Sequence, residues 1–250
     1  MSKYDPACSI IKIDTLLNAR DLGGMPTRYG TFPYGVFVRS GTLSESSPEA
    51  LKKLKEYGVS DVIDLRSRAE LLKYGNPAQD DGDLIFHSIP LFLGDPDLDE
   101  DPTMTFLRTH HLGDFYVNIL EELGSAIAEV MTVLAEAKGI VLFHCAHGKD
   151  RTGIISALLY LLAGAEREDI IVNYSFSYDY ISWFLDPLIE AREEELKHTL
   201  RSDRINMEIM LDHLSQNYDS VTDYLDHAGL SRETIDKIMD KISVTSSSRR

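Results

Sequence analysis

Hydrophobic residues along this chain occur in short runs and in helically spaced groups, and the two patterns alternate as far as about residue 163. Short runs rich in β-branched residues predict buried strands, whereas apolar residues spaced at helical intervals predict helices. The predicted strands are 36–39, 59–65, 84–89 and 140–143, and the predicted helices are 48–57, 114–134 and 151–163. This alternation predicts an α/β fold with a mostly parallel central sheet flanked by helices.

From Ala165 to about Ser243 the pattern is almost entirely helical. Aromatic residues are concentrated at 173–183, which is typical of a helical core or of a lid whose apolar face covers a site. We expect these helices to pack on the same domain, so that residues 1–243 form a single domain with a helical C-terminal part. Residues 244–250 are predicted to be a disordered tail.

The acidic composition and the two cysteines limit the classes of function open to this protein. A formal net charge of −16 disfavours binding to nucleic acid and unassisted docking on anionic membranes. No apolar stretch reaches the ~18 residues of a membrane-spanning helix, and the N-terminus lacks the pattern of a secretory signal. Cys8 and Cys145 are far apart, which argues against a disulfide framework and suits a reducing, cytoplasmic location.

The segment from His144 to Gly153 joins a predicted strand to a predicted helix and carries the main candidate chemistry. Its loop and the helix start can surround a tetrahedral oxyanion with backbone N–H groups. Cys145 in that positive field is expected to ionise easily and to act as a nucleophile. Arg151 can hold two phosphate oxygens in its planar fork. A buried structural cysteine is the alternative, but the Gly-Lys-Asp-Arg-Thr-Gly continuation favours an anion site.

The other side chains of this loop have several candidate roles. Thr152 can donate its hydroxyl to the cysteine sulfur, and Lys149 adds a second cation at the rim. Asp150 either points away from the phosphate and orders the loop, or donates a proton while it is protonated. His147 either enters the pocket or faces solvent. The predicted phosphate-binding residues are Ala146, His147, Gly148, Lys149, Asp150 and Arg151.

The string His-Cys-x5-Arg-Thr at 144–152 resembles the signature of the protein tyrosine phosphatase superfamily. With Gly-Lys-Asp before the arginine and Gly after the threonine, it resembles the atypical, largely bacterial branch. Members of that branch hydrolyse phosphotyrosine, and some also act on phosphoserine, phosphothreonine or phosphoinositides. The branch usually has alanine where this chain has His147. Further segments that resemble it are 18–24, 37–41, 62–67 with Glu70, and 228–231.

This resemblance implies a phosphomonoesterase that works through a phosphocysteine intermediate, releases inorganic phosphate and requires no cofactor or metal. Its substrate would be a phosphorylated protein, chiefly at phosphotyrosine, or a phosphoinositide. The resemblance also favours a helical lid at about 166–200. It implies that His144, Arg20 and Asp21 brace the catalytic loop; a turn held by side-chain bonds is the alternative for the last two.

The leaving oxygen of a phosphate ester needs a proton, which a carboxylic acid can supply. In related phosphatases this acid comes from a loop after a strand, and the acidic segment 94–101 stands in the matching part of this chain. Asp95 and Asp97 are therefore candidates, with Asp150 as a third, and we predict Asp95 and Asp150 as catalytic residues. Alternate aspartates also resemble calcium ligands, but the glycine and the terminal glutamate of a calcium-binding loop are missing from the segment.

Two other classes of function remain open. One is a module that binds phosphoryl groups without turning them over. The other is a sulfur- or arsenate-handling enzyme with a similar cysteine loop, which the lack of a second nearby cysteine disfavours. Arg39 and Arg66 are expected to hold strand ends to carboxylates, although either can instead face the phosphate.

Overall fold

The carboxyl ends of four parallel strands meet at one edge of the central sheet. The computed structural model describes residues 4–98 and 100–243, and the predicted tail 244–250 lies outside the described residues. In these ranges the strands are, in chain order, β1 (Arg20–Asp21), β2 (Pro26–Thr27), β3 (Gly30–Thr31), β4 (Phe37–Ser40), β5 (Val59–Asp64), β6 (Ile85–Ser88) and β7 (Ile140–His144). The central sheet has the spatial order β1, β4, β7, β5, β6, with β1 antiparallel to β4, while β2 and β3 form a separate hairpin.

Helices cover both faces of this sheet. The order of strands and helices confirms the predicted α/β fold with a mostly parallel sheet. No helix in the described part of the chain is long and apolar enough to cross a membrane. The α-helices are α1 (Pro48–Tyr57), α2 (Arg68–Tyr74), α3 (Pro102–Leu107), α4 (Leu112–Glu122), α5 (Gly124–Glu136), α6 (Arg151–Leu162), α7 (Arg167–Ala191), α8 (Arg204–Asn217), α9 (Val221–His227) and α10 (Arg232–Ser243), and short 3-10 helices lie at Pro6–Ser9, Pro77–Gln79 and Glu194–Leu200.

Successive residues of the central strand β7 pack into two hydrophobic cores on opposite faces of the sheet. Leu142 packs into the smaller core, which includes α1, whereas Val141 and Phe143 pack into the larger core with α3 to α10. All three side chains are fully buried. Because both faces of the strand are covered, its sequence is a continuous apolar run.

The predicted helix 114–134 forms two helices in the structure. The N–H of His111, before α4, donates to Asp114 Oδ2 at 2.9 Å, so Asp114 stabilises the first turn from within the helix rather than as its cap. At Leu123 the backbone leaves the helical region, with φ of −115° and ψ of 24°, and α5 then begins at Gly124. A Cβ at Gly124 would lie 3.3 Å from Ala228, so this turn is packed against α9 and its C-terminal end. The helical spacing of apolar residues continues through the break, and the sequence pattern therefore missed it.

The helix α7 changes direction at Ile181, whose φ of −119° and ψ of 17° are not helical. Its first half packs into the larger core through Ile170 and Tyr174. In its second half, Ile181, Leu185 and Ile189 belong to a small separate core. Trp183, also in this half, is 70% exposed. The aromatic segment 173–183 thus contains both buried core residues and an exposed surface.

Candidate active site

The predicted phosphate-binding segment forms a tight loop at the carboxyl end of the central strand. β7 ends at His144 and α6 begins at Arg151, which places residues 145–150 where open parallel sheets bind ligands. Gly148 has a φ of +66°, and a Cβ there would lie 2.4 Å from the carbonyl carbon of Ser40. The turn therefore requires glycine. Cys145, the first residue of the loop, is 2% exposed.

The carbonyl groups of this loop are held from outside. Asn18 Nδ2 donates to the carbonyl oxygens of His147 at 3.2 Å and Gly148 at 2.8 Å, and Thr42 N–H donates to that of Ala146 at 2.8 Å. In a trans peptide the N–H of the next residue points the opposite way, so these contacts direct the N–H groups of residues 147–149 away from the body of the protein. Within the described part of the chain the N–H groups of residues 146–150 have no hydrogen-bond acceptor. We call this set the anion-binding ring, because successive N–H groups of this kind can hold an anion as a backbone nest does.

The guanidinium of Arg151 is fixed by a two-point ion pair with Glu70. Nη1 lies 2.6 Å from Oε2, and Nη2 lies 3.0 Å from Oε1. Burial lowers the pKa of Arg151, but the Glu70 carboxylate more than offsets this and leaves the pKa above its ordinary value. Burial raises the pKa of Glu70, but Arg151 outweighs it and the net shift is downward. Of the five N–H donors of a guanidinium, three remain for a ligand.

Glu70 was part of the family resemblance, but its pairing with Arg151 was not predicted. Its Oε2 also accepts from Ser67 N–H at 2.8 Å, while Glu70 N–H donates to Ser67 Oγ at 3.2 Å. This reciprocal capping box opens α2 at the carboxyl end of β5. The spacing Ser-x-x-Glu after a predicted strand was the available signal, since the carboxyl ends of neighbouring parallel strands lie together.

The carboxylate of Asp150 lines the cleft next to Arg151. It accepts hydrogen bonds from Tyr116 OH and, at 2.8 Å, from Lys149 Nζ. Burial and the adjacent Asp150 raise the pKa of Tyr116, so its hydroxyl remains a donor to the carboxylate. Tyr116 OH also lies 2.7 Å from Tyr174 OH of α7. The acid candidate within the loop is therefore held by α4 and by its own neighbour.

The Lys149 side chain lies elsewhere than the expected rim position. It is fully buried, and its Nζ donates to the carbonyl oxygens of Thr199 at 3.0 Å and Arg201 at 2.8 Å in addition to Asp150. These three bonds use all the donors of an ammonium group. The charge of Lys149 thus ties the loop to the segment that follows α7, whereas its backbone N–H belongs to the anion-binding ring.

The acidic loop places its two candidates differently. The Asp95 carboxylate accepts from Asp97 N–H at 3.0 Å, and among the described residues Asp95 does not line the cleft. Asp97 lines it but is bonded to Lys73 Nζ at 2.7 Å and to Tyr74 OH at 2.5 Å. Burial raises the pKa of Asp97, yet these two bonds outweigh burial and lower it. Asp95 stays outside the cleft because the chain folds back where Asp95 N–H donates to Asp101 Oδ2 at 3.0 Å.

The two histidines of the signature have separate surroundings. His144 is fully buried, with Nε2 2.9 Å from Asn76 Nδ2 and Nδ1 3.1 Å from the Cys145 carbonyl oxygen. Because Asn76 donates to Nε2, the proton lies on Nδ1, which donates to that carbonyl. The His147 ring lies in the cleft, 6.0 Å from the Phe184 ring of α7. Burial lowers the pKa of His147 to about 4, so the ring is neutral at pH 7.

The predicted bracing residues contact different parts of the fold. Arg20 donates to the Asn173 carbonyl oxygen at 3.0 Å and to Ser177 Oγ at 2.7 Å, both on α7. Asp21 accepts from the N–H groups of Gly23 at 2.7 Å and Gly35 at 2.8 Å and from Tyr57 OH at 2.7 Å, which is the turn arrangement. The loop itself is contacted by Asn18, from the same sequence segment, and by Arg39.

The remaining candidates, Thr152, Arg66 and Arg39, also have defined positions. Thr152 Oγ1 is buried without a hydrogen-bond partner in the described ranges. Arg66 pairs with the Asp64 carboxylate at 2.6 Å, at the end of β5. Arg39 Nη2 donates to the Gly148 carbonyl oxygen at 2.7 Å. Across residues 4–98 and 100–243, no cluster of three or more His, Cys, Asp or Glu side chains is arranged to hold a metal ion.

The loop is the floor of a cleft of about 420 Å³ with mostly apolar walls. Ala146, His147, Asp150 and Arg151 form the floor. A cleft of this size and polarity can enclose a small apolar group above a polar anchoring point. The apolar wall residues are Leu17, Phe92, Met104, Leu107, Leu112, Phe115, Phe184 and Leu200.

Cys145, the unpaired amide ring and Arg151 thus lie together at the carboxyl end of the central strand of an α/β fold, in an arrangement that can hold an oxyanion beside a thiol. The profile of the Tyrosine phosphatase family matches residues 11–243. The chain belongs to that family, which confirms the predicted family and the predicted class of phosphatase enzyme.

Three relatives carry phosphatase names. A tyrosine-protein phosphatase of Nostoc commune is 35% identical over 158 residues, which are 62% of this chain and 52% of the relative. A protein of Cupriavidus necator, provisionally named a tyrosine-protein phosphatase, is 31% identical over 217 residues, 77% of this chain and 78% of the relative. The triple specificity protein phosphatase PtpB of Mycobacterium tuberculosis is 25% identical over 248 residues, 82% of this chain and 89% of the relative. The chain thus spans about half of the Nostoc relative and most of the other two.

Proposed function

We propose that this protein hydrolyses phosphomonoesters, chiefly phosphotyrosine, through a phosphocysteine intermediate. The observation that carries this proposal is the ring of unpaired N–H groups at residues 146–150 between Cys145 and the three free donors of Arg151. Such a ring matches the equatorial oxygens of a phosphoryl group during transfer. It also stabilises a thiolate at the strand end.

The first half of the reaction transfers the phosphoryl group to sulfur. Cys145 Sγ attacks phosphorus in line, an S–P bond forms, and the ester P–O bond breaks. The leaving oxygen takes a proton from Asp150, which is the carboxyl group on the cleft floor. Charge that grows on the equatorial oxygens is met by the loop N–H groups and by Arg151, whose direction is set by Glu70.

The second half releases phosphate. A water molecule attacks phosphorus opposite to sulfur and gives a proton to the Asp150 carboxylate. The S–P bond breaks, the thiolate is restored, and inorganic phosphate leaves. Proton donation and acceptance by the same group close the cycle without another titrating residue.

The walls of the cleft support an aryl phosphate as substrate. Phe184, Phe92 and Leu107 present apolar surface above the floor, which suits a tyrosine ring better than the short polar stem of phosphoserine. A substrate panel also needs phosphoserine and phosphothreonine peptides and inositol phospholipids, because some members of the branch that this chain resembles act on them. One relative is named a triple specificity protein phosphatase.

The decisive test compares Cys145→Ser with Cys8→Ser on p-nitrophenyl phosphate and on a phosphotyrosine peptide. Cys145→Ser is expected to lose turnover while it still binds orthophosphate, since the amide ring and Arg151 remain. Cys8 is exposed and distant in sequence, so Cys8→Ser is expected to keep parental rates. Full activity of Cys145→Ser would falsify the mechanism. A burst of one product equivalent without steady turnover would instead identify a phosphoryl-binding module.

A further inference from the structure

Two arginines lie buried side by side behind the anion-binding loop. Arg20 of β1 and Arg39 of β4 are directly paired in the antiparallel register of these strands. Arg20 is 0% exposed and Arg39 is 1% exposed. Like charges that face each other across a strand pair destabilise a sheet, and burial makes this worse. Their placement therefore needs a compensating anion or a functional reason.

Neither guanidinium is paired with a carboxylate within the described ranges. Arg20 donates to the Asn173 carbonyl and to Ser177 Oγ, and its guanidinium lies 5.3 Å from the centre of the Phe176 ring. Arg39 donates from Nη1 to Asn173 Oδ1 at 2.9 Å and from Nη2 to the Gly148 carbonyl oxygen. The Nε atoms of both are buried without an acceptor. All these acceptors are neutral, so two positive charges remain uncompensated.

Two of the groups whose charge acts on Arg39, Cys145 and Asp150, belong to the candidate active site. Arg39 Nη2 would lie 3.9 Å from a Cβ at Gly153, so the guanidinium sits under the first turn of α6. Burial lowers the pKa of Arg39, and the anionic forms of Tyr160, Cys145, Tyr4 and Asp150 act in the opposite direction. Among these, Cys145 is the group that the proposed mechanism uses as an anion from the start.

We infer that Arg39, backed by Arg20, is a positioning residue that holds fixed positive charge beneath the loop, with the Cys145 thiolate and the bound phosphate as its counter-ions. The contact with Gly148 also turns that carbonyl toward the body of the protein, which points the N–H of Lys149 into the ring. The missing carboxylate is then the functional feature, because a permanent partner would cancel the positive field. This inference rests on the proposed function.

Asn173 offers a substitution that tests the charge while it keeps the shape. Its Oδ1 already accepts from Arg39 Nη1, and its Nδ2 donates to Tyr4 OH at 2.7 Å. In Asn173→Asp a carboxylate of the same size faces Arg39, and the tyrosine hydroxyl can donate to it instead. Pairing a buried charge is expected to keep or raise the melting temperature. The same pairing is expected to weaken the site.

The experiment uses Cys8→Ser as parent, so that Cys145 is the remaining thiol, and compares Asn173→Asp, Arg39→Gln and the surface control Arg232→Gln. The readouts are the pH profile of Cys145 alkylation by iodoacetamide, the Kd for orthophosphate, and the melting temperature. The midpoint of alkylation is expected to rise by about one pH unit in the first two variants, as for loss of a nearby opposite charge. The Kd for orthophosphate is expected to rise roughly tenfold for the same reason. Arg232→Gln is expected to match the parent, because Arg232 is exposed and pairs with Asp236.

The other charged and titratable groups around Cys145 stay the same in all variants, so a shift is assigned to the buried pair. A folded Asn173→Asp protein with the parental midpoint and Kd would overturn the inference, as would failure of that variant to fold. If these variants shifted the alkylation midpoint while the parent showed no phosphatase turnover, the result would contradict the proposed function and leave this inference standing. The groups that remain constant are His144, His147, Lys149, Asp150, Arg151, Glu70 and Tyr116.

Discussion

The floor and the wall of the cleft are built by different physical means. The loop that carries the floor, residues 145–151, is fixed by buried polar contacts: Asn18 and Arg39 hold the Gly148 carbonyl, and Glu70 holds Arg151. The wall formed by the second half of α7 is fixed by a small apolar core around Ile181 and Leu185. Directional bonds define atom positions more narrowly than apolar contacts do, because a lost buried hydrogen bond leaves an unsatisfied group.

This difference separates the expected roles of the two regions. The floor can hold the reacting atoms within the tolerance that transition-state stabilisation needs. The wall contributes area and shape, which mainly set which substrates enter. Lys149 ties the floor to the segment that follows this wall, since its buried Nζ bonds both Asp150 and the carbonyl groups of Thr199 and Arg201. Substitutions of floor residues that act on the phosphoryl group should therefore change kcat strongly. Substitutions at the wall, or of a floor side chain that packs against the wall, should change KM modestly.

The largest effect after the cysteine is expected at Asp150. Asp150→Asn keeps the size of the side chain but cannot donate a proton to the leaving oxygen. General acid–base catalysis contributes about 10²–10⁴-fold to an enzyme's rate. We expect kcat for a phosphotyrosine peptide to fall by roughly 10²-fold or more. The loss should be smaller for p-nitrophenyl phosphate, whose leaving group needs little protonation. Steady-state rates on both substrates measure this contrast.

Asp95→Asn and Asp97→Asn are the matched controls for this experiment. Asp95 does not line the cleft among the described residues, and Asp97 is tied to Lys73 and Tyr74. Both are expected to keep nearly parental kcat on the two substrates. If one of them showed the leaving-group dependence while Asp150→Asn did not, the acid would come from the loop 94–101.

An intermediate effect is expected from Glu70→Gln. The substitution removes charge-assisted hydrogen bonds to Arg151, each worth about 1.5–3 kcal/mol, so kcat/KM should fall roughly 10–100-fold. Stability should also fall, because Arg151 loses its buried partner. Steady-state kinetics and urea unfolding at pH 7 test both effects. A variant with parental kcat/KM would show that Arg151 is directed by other contacts, such as the Phe92 ring 5.8 Å away.

The pH dependence of stability gives a separate test of this ion pair. The pKa of Glu70 is lowered in the folded state, so its ionised form contributes stability above the unfolded pKa, and this is lost as pH falls through the folded pKa. The parent should therefore lose more unfolding free energy than Glu70→Gln when pH falls from about 6 to about 3. Equal losses in the two proteins would contradict the strong pairing.

The sequence predicted the floor far better than it predicted the contacts that hold it. The strand, loop and helix from Ile140 to Leu162 follow local rules, since an apolar run, a left-handed glycine and a helix start stand next to each other. The partners Asn18, Arg39 and Glu70 come from a turn, a strand and a helix that are distant from the loop in sequence, and only the sheet order shows which of these segments meet. The kink at Ile181 and the direction of Lys149 depend on tertiary packing, for which the helical pattern of 166–243 gives no signal.

The smallest effect is expected where floor and wall touch, at His147 and Phe184. An aromatic pair of this kind contributes about 0.5–1.5 kcal/mol, so His147→Ala should raise KM for a phosphotyrosine peptide roughly two- to tenfold with little change in kcat. The pKa of the ring is lowered to about 4, against 6.5 for an ordinary histidine. As pH falls, His147 is therefore protonated in the unfolded state at a higher pH than in the folded state. The stability of the parent falls as pH drops from about 6.5 to about 4. His147→Ala should lack this slope. Melting temperatures of both proteins across that interval measure it, and parallel curves would mean that the ring leaves the cleft and faces water.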